Sequence, residues 1–268
     1  MQSPVIITKE MASKPVTIVG DVSASSFILQ RGISAMLTDM STAKSHNLSV
    51  VLEPESELHI VSLSHGGSRT FRSEVGDGAH IFWHCFTLGT STMPHTLTSL
   101  LHGRNAKSNV DWVFRVSGKE SQNVSVRNIF EEQNGGGEIV IKGVAEDSAH
   151  ASCSGMIEIA ERGRGTDTYL TEDVLMLDPS AKIDAVPGLE IRTNDVKASH
   201  SATVSRVTVE DLFYFQSRGI SASDARRMYT EGFLGDLTHR IPDQDLRDTV
   251  QKALMRTNVG PMLSASVL

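Results

Sequence analysis

The 268-residue chain is long enough for one large domain or two ordinary ones, and its 39% hydrophobic and 21% charged residues are typical of a globular protein. A formal net charge of -7 at pH 7 and a pI near 5.8 leave no basic surplus for binding nucleic acid through counterion release. No run approaches the roughly 20 apolar residues of a membrane-spanning helix, and the amino terminus lacks the apolar core of a signal peptide, so we expect a cytoplasmic protein.

From residue 1 to 46, short apolar bursts alternate with serine-rich turns, which predicts an irregular amino-terminal β segment. From residue 47 to 206, β-rich runs follow one another and are separated by glycine-rich turns such as those at residues 66–67, 76–78 and 135–137. Helical periodicity is nearly absent before Thr208, apart from an ambiguous stretch from Met93 to Leu101. The pattern predicts an all-β body, and a sandwich, a barrel and a parallel β-helix all remain open.

The two cysteines, Cys85 and Cys153, are too few for a disulfide framework and lack the CxxC spacing of a structural zinc or cluster site. We expect both to be reduced, and a small apolar cysteine packed in a strand is the ordinary interpretation of each. His80 and His84 resemble a metal pair, but four residues of strand at about 3.3 Å each place them roughly 13 Å apart on one face, too far to share an ion.

The last strand of this body is predicted from 196 to 205, where period-two alternation separates an apolar face from a polar one. The face predicted to be dry carries Val196, Ala198, His200, Ala202 and Val204. On this parity alone, His200 is interpreted as a core histidine.

Three helices are predicted to follow. Thr208 with Asp211, and Ser221 with Asp224, have the spacing of helix N-caps, and Gly219 separates the two helices. Pro242 fits the first position of a third helix that runs to about Met255, and the tail at 257–268 has no periodic content. The helices form a predicted module at 207–256.

The stretch from Pro187 to Leu234, PGLEIRTNDVKASHSATVSRVTVEDLFYFQSRGISASDARRMYTEGFL, resembles the carboxy-terminal signature of the SufB/SufD family of iron-sulfur cluster assembly proteins. The resemblance implies a right-handed parallel β-helix at 47–206. It also implies that the helical module docks SufC, the ATPase of that system, and that the chain is a non-enzymatic scaffold working with a SufB-like partner or a second copy of itself.

The resemblance also bears on site residues. His200 stands where the SufD-type motif carries a histidine implicated in cluster assembly, which implies an iron ligand instead of a core residue. Ala198 replaces a cysteine common in SufD-type members, Ser201 replaces a glutamate of SufB-type members, and Glu172 lies near the place of a SufB-type cysteine. With these departures the chain resembles a SufD-like or a divergent member of the family, and the choice between a SufB-type and a SufD-type role stays open. Glu172 and Cys153 are further candidate metal ligands.

A cluster normally needs several thiolates, so this chain would hold one only transiently and together with a partner. Motifs for nucleotide phosphates, a nucleophile elbow or a metalloprotease are absent from the sequence, so we expect no nucleotide bound by this chain. Five aromatic and arginine residues of the helical module are proposed to dock the ATPase: Phe213, Tyr214, Arg218, Arg226 and Phe233. The alternative is that the same residues only pack the helices against the last coil.

Two other functions remain open. One is a structural β-helix assembly protein without a cluster, which the missing cysteine at Ala198 favours. The other is a β-helix enzyme acting on carbohydrate, which needs paired acids on one face. Glu172 and Asp173 are adjacent and point to opposite faces of a strand.

Overall fold

In a computed structural model that describes residues 3–89 and 94–255, the chain alternates between two sheets. Sheet 1 contains β1 (Val5–Ile7), β3 (Ala24–Leu29), β5 (Ser45–Leu52), β7 (Ser68–Val75), β9 (His95–Leu101), β11 (Ser121–Phe130), β13 (His150–Ile159), β15 (Lys182–Ala185) and β16 (Gly188–Ile191). Sheet 2 contains β2 (Val16–Gly20), β4 (Ser34–Ser41), β6 (Glu57–His65), β8 (His80–Leu88), β10 (Lys107–Val116), β12 (Gly136–Ala145), β14 (Thr166–Met176) and β17 (Val196–Arg206).

The strand pairs of both sheets are parallel, and each strand from β1 to β13 pairs with the one two places further along the chain. Strand β14 pairs with β17, and β16 pairs with β13. Each full coil therefore stacks on the coil before it, and the fold is mainly β and β-helix-like. The number of residues per coil increases along this part of the chain. The intervals become longer between successive residues that are in register in sheet 2, which are Glu57, His80, Lys107, Gly136 and Asp167. This growth explains why the sequence shows no fixed repeat.

The amino-terminal strands are part of the same stack. Strands β1 to β4 pair in register with later strands of both sheets, so the expected division near residue 46 does not coincide with a change of sheet. The ambiguous stretch at 93–101 contains β9, and Met93 itself lies outside the described residues.

One corner of the coils is built from residues in the left-handed backbone region. Asn105 has φ 57° and donates its N–H to the carbonyl of Gln133, while Asn134 has φ 59° and donates to Arg164 one coil further on. Asparagine and glycine reach this region at the lowest steric cost. The positions that share this conformation and this bond to the next coil are Gly32, Glu55, Gly78, Asn105, Asn134 and Gly165.

The bore between the two sheets is filled by side chains in rows. In sheet 2 one row runs through Ile60, Trp83, Val110, Ile139 and Leu170, all fully buried and in register on successive coils. From sheet 1, the ring of Phe71 stacks on Trp83 with centroids 5.2 Å apart. Burial of these rows supplies the main driving force for stacking the coils.

The helical module comprises α1 (Val209–Ser217), α2 (Ala222–Gly235) and α3 (Gln244–Met255), with a short 3-10 helix, Asp236–Arg240, between the last two. It packs on the outer face of sheet 2, along the side of the stack. Its buried residues form one cluster with Leu177, which directly follows β14, and with outward-facing residues of sheet 2. The module contributes Leu234, Leu237, Ile241, Val250 and Leu254, and the sheet contributes Val61, Leu63, Phe86, Leu88, Val113, Val140, Val144 and Leu175.

The predicted helix starts are largely confirmed. Thr208 and Asp211 form a reciprocal capping box on α1, and the Ser221 hydroxyl accepts from the N–H of Asp224 on α2. The prediction for Pro242 is wrong, because α3 begins at Gln244 and the carboxylate of Asp243 accepts from the N–H of Leu246. The tail predicted at 257–268 lies outside the described residues. Among the described helices, none is both long and apolar enough to cross a membrane.

Candidate functional site

Strand β17 forms the last edge of sheet 2. It pairs with β14 along its whole length, and no described strand lies on its other side. Val196 and Ala198 still pack against the core, but His200 and Ala202 are exposed and Val204 is 47% exposed. The prediction of a dry face is therefore wrong for most of this strand, because no described coil stacks over it.

His200 continues the buried row of sheet 2 beyond the end of the stack. It lies opposite Leu170, the last fully buried member of that row, and so faces the axis of the bore while remaining exposed. This placement argues against a satisfied core histidine. The imidazole is available at the open end of the stack.

Directly inside this end, a thiol and a carboxylate from the two sheets meet. Cys153 on β13 lies with its Sγ 3.8 Å from Oε2 of Glu172 on β14, and both residues are almost completely buried. The N–H of Gly155 donates to Oε1 of Glu172 at 2.5 Å. The sequence placed these residues in separate runs, and the structure brings them into contact.

Burial sets the protonation of this pair. It raises the pKa of the Cys153 thiol to about 12, with a further contribution from the charge of Glu172. Burial also raises the pKa of Glu172, and the hydrogen bond from the N–H of Gly155 opposes that shift. In the chain alone the thiol is therefore neutral at physiological pH.

The three candidate ligands share one end of the bore. Glu172 lies opposite Ala202 in register, so His200 is its diagonal neighbour on the next strand. Thiol, carboxylate and imidazole are all iron ligands. However, no group of three or more His, Cys, Asp or Glu side chains in the described parts of the chain is close enough to hold a metal ion.

Cys85 lies elsewhere. It is fully buried between Ser62 and Trp112 on the inner face of sheet 2, and burial raises its pKa well above the usual thiol value. A neutral thiol in this position is a packing residue. Cys153 is thus the one cysteine beside the open end.

A family model described as SUF system FeS cluster assembly, SufBD core domain, matches residues 6–233. The chain belongs to the SufBD core family. It is 30% identical over 178 residues to the iron-sulfur cluster assembly protein SufD of Escherichia coli (strain K12), a match covering 66% of this chain and 42% of that protein.

Other relatives agree with this assignment. An iron-sulfur cluster assembly SufBD family protein of Mycobacterium leprae is 24% identical over 79% of this chain and 25% of its own length. One from Staphylococcus saprophyticus is 23% identical over 84% of this chain and 49% of its own length. The chain thus spans less than half the length of these relatives, and within the SufBD family it is SufD-like.

The five residues predicted to dock an ATPase do not share one surface. Phe213 and Tyr214 are 68% and 58% exposed on α1, a helix without a buried residue, and the guanidinium of Arg218 lies over the Tyr214 ring at 5.4 Å. In contrast, Arg226 pairs with Asp178 of the stack at 2.8 Å, and Phe233 packs against the apolar cluster under the module. The first three face outward, and the last two hold the module on the sheet.

Gly155 is the residue of this site that sequence reasoning missed. A Cβ at this position would lie 2.3 Å from Cδ1 of Leu170 and 3.2 Å from Oε1 of Glu172, so glycine avoids a clash with Leu170 and a tight contact with the carboxylate. A glycine inside a strand pattern signals such a close approach. The signal was available in HASCSGMIEI but did not indicate which side chain comes near.

Proposed function

We propose that this chain is a non-enzymatic scaffold subunit of a SUF-type iron-sulfur cluster biogenesis complex, acting in the cytoplasm with a SufC-like ATPase. The cluster is the cargo of the complex, held transiently and shared with a partner. Membership of the SufBD core family supports the process. The observation that carries the scaffold role is the open end of the stack, where exposed His200 lies beside the Cys153–Glu172 pair.

The ligand count supports a shared cluster. The described end of the bore offers one thiol, one carboxylate and one imidazole, whereas a cluster is normally held by several thiolates. The missing thiolates would come from a SufB-like partner or a second copy of this chain. The exposed edge of β17 supports such a partner, because unpaired strand edges are ready sites for pairing with another chain.

The exposed face of α1 supports the ATPase partner. Phe213, Tyr214 and Arg218 are aromatic and arginine residues of the kind that dominate interface energetics. Within the described part of the chain α1 is held by half-buried Leu212 and Phe215, and the face that carries Phe213 and Tyr214 has no such contact to explain its aromatic residues. We therefore assign these three residues to the docking of the SufC-like subunit, and no nucleotide to this chain.

Reconstitution tests the cluster role. The chain, a SufB-like protein and a SufC-like ATPase are purified together and incubated anaerobically with Fe²⁺ and sulfide. We expect cluster absorbance in the complex that falls several-fold with His200→Ala. His150→Ala, which removes a partly exposed histidine on the other sheet, is the control and should leave the absorbance unchanged. A complex that forms without any cluster spectrum would favour the structural assembly protein.

Co-purification tests the docking face separately. We expect the double variant Phe213→Ala, Tyr214→Ala to lose the ATPase while retaining the SufB-like partner. Tyr169→Ala, which removes an exposed aromatic residue on sheet 2, is the control. An ATPase that stays bound to the double variant would contradict the assignment of α1.

A further inference from the structure

A second cluster of titratable side chains lies on the outer face of sheet 2, away from the open end. His59 on β6 and His84 on β8 come from successive coils, and Nδ1 of His59 faces Nε2 of His84 at 3.4 Å. Their ring planes are 13° apart and their centroids 5.7 Å apart, so the two imidazoles meet edge to edge in nearly one plane. The in-plane ring nitrogens therefore point at each other along one line.

Neighbouring side chains fix both rings. The Nδ1 of His84 lies 3.1 Å from a carboxylate oxygen of Asp111, and Asp111 is itself paired with Arg240. A carboxylate at one nitrogen holds the proton there and leaves the lone pair on the other nitrogen, here Nε2. Phe82 stacks on His59 with centroids 4.1 Å apart and planes 4° apart, which fixes the plane of that ring.

Without a metal ion, the Nδ1–H of His59 donates a hydrogen bond to the lone pair on Nε2 of His84. The other nitrogen of His59, Nε2, lies 3.8 Å from Oε1 of Glu57 and can carry the proton instead. When a cation replaces the shared proton and His59 takes this second tautomer, both facing nitrogens present lone pairs to the ion. Both histidines then have the carboxylate-oriented arrangement of metal-binding imidazoles.

The geometry selects the cation. Zinc and other divalent ions take four or more ligands, and the described residues provide no group of three or more His, Cys, Asp or Glu side chains for them. Two nitrogen lone pairs that point at each other along one line match an ion with two ligands in linear geometry. Among the metals that bind imidazole, Cu(I) takes this geometry. Since a metal–imidazole bond is about 2 Å long, the nitrogens must separate to about 4 Å. A slide of the partly exposed His59 ring within its own plane, parallel to Phe82, would supply this separation.

We propose that His59 and His84 form a binding site for one Cu(I) ion on the outer face of sheet 2. The site is separate from the proposed cluster site and does not depend on it. His80 also touches Phe82, but its Nε2 is bonded to Oδ1 of Asn109 at 2.7 Å, and no described group of three possible ligands includes it, so we assign only two ligands.

Competition with the Cu(I) chelator bicinchoninate tests the site in the full chain under anaerobic conditions. A Cys153→Ser background removes the thiol beside the open end, which would otherwise compete for a soft ion. We expect one Cu(I) per chain, and at least tenfold weaker binding in His59→Phe, a change that keeps a ring beside Phe82. His80→Gln is the matched control and should bind as the background does. Equal affinity in the background and in His59→Phe, or an equal loss in His80→Gln, would overturn the proposal.

NMR of the imidazole nitrogens gives a test that needs no substitution at the site. On addition of Cu(I), Nδ1 of His59 and Nε2 of His84 should shift, and the nitrogens of His80 should not. If the two facing nitrogens keep their metal-free shifts while Cu(I) binds, the ion lies elsewhere and the proposal fails.

Discussion

The thiol of Cys153 and the carboxylate of Glu172 join the two sheets at the last complete coil, with Sγ and Oε2 3.8 Å apart. Glu172 also accepts the N–H of Gly155, so a single side chain satisfies a buried backbone donor and a buried thiol. The contact lies on the coil next to exposed strand β17. We therefore expect it to contribute to the stability of the open end of the stack.

Replacing Glu172 tests this structural role. Glu172→Ala removes the acceptor for the Gly155 N–H and leaves a buried donor unsatisfied, which costs about 1–3 kcal/mol. Glu172→Gln retains an acceptor and should cost clearly less. Thermal unfolding followed by circular dichroism measures both. Glu158→Ala, which breaks a surface pair with Arg127, is the control, and an Ala variant at 172 as stable as this control would contradict the role.

The parts of this fold that depend on local chemistry could be predicted from the sequence. The capping box of Thr208 and Asp211 needs only residues three apart, and the β-rich runs and glycine turns require an all-β body. The family resemblance supplied the stacking of the coils. Contacts between residues far apart in the chain could not be predicted, because no local pattern indicates that Cys153 contacts Glu172 or that His59 contacts His84.

The position of the helical module was also missed, although the sequence carries a signal for it. In β8 the run Trp83 to Leu88 is buried on both faces, because one face lines the bore and the other lies under the helices. The run carries apolar residues on both faces, Trp83 and Cys85 on one and Phe86 and Leu88 on the other, which is typical of strands covered on both sides. The run predicts a short strand, but its periodicity does not show which element covers the outer face.

Arg240 is expected to fasten the module to sheet 2. It pairs at 2.9 Å with Asp111, which is 3% exposed, and also with Glu138. Arg240→Met leaves the buried carboxylate without its cation and should destabilise the module by about 1–3 kcal/mol, a range reduced because Arg240 is itself partly exposed. Hydrogen exchange in α3 should become faster. Arg227→Met, which removes only surface pairs on α2, should leave exchange unchanged, and equal rates in both variants would contradict the role of Arg240.

Close packing between coils leaves no space for a side chain at Gly143. A Cβ at Gly143 would lie 1.9 Å from Cζ of Phe114, its neighbour on the preceding coil. Gly143→Ala should therefore cost about 1–3 kcal/mol through overpacking, and Phe114→Leu should recover part of that loss in the double variant. Gly232→Ala in α2 is the control, because a Cβ there meets nothing within 4 Å and alanine favours the helix. Additive losses in the double variant, measured by denaturant unfolding, would contradict the contact.

His95 should make the stability of the stack depend on pH. It is 1% exposed inside the bore, where burial and then the charge of Arg69 lower its pKa from 6.5 to about 4. Between these two values the unfolded chain binds a proton that the folded chain excludes, so stability falls as the pH drops from 6.5 to 4, by up to about 3 kcal/mol from this residue. Below pH 4 both states are protonated and the contribution no longer changes.

Thermal unfolding of the His95→Gln variant between pH 4 and 7 measures this contribution. The variant should lose less stability on acidification than the parent protein, because glutamine does not titrate, and the two curves should run parallel below pH 4. His102→Gln, at an exposed position next to β9, should retain the slope of the parent protein. If His95→Gln has the same slope as well, the acid sensitivity arises from other groups and the bore does not exclude a charged imidazole.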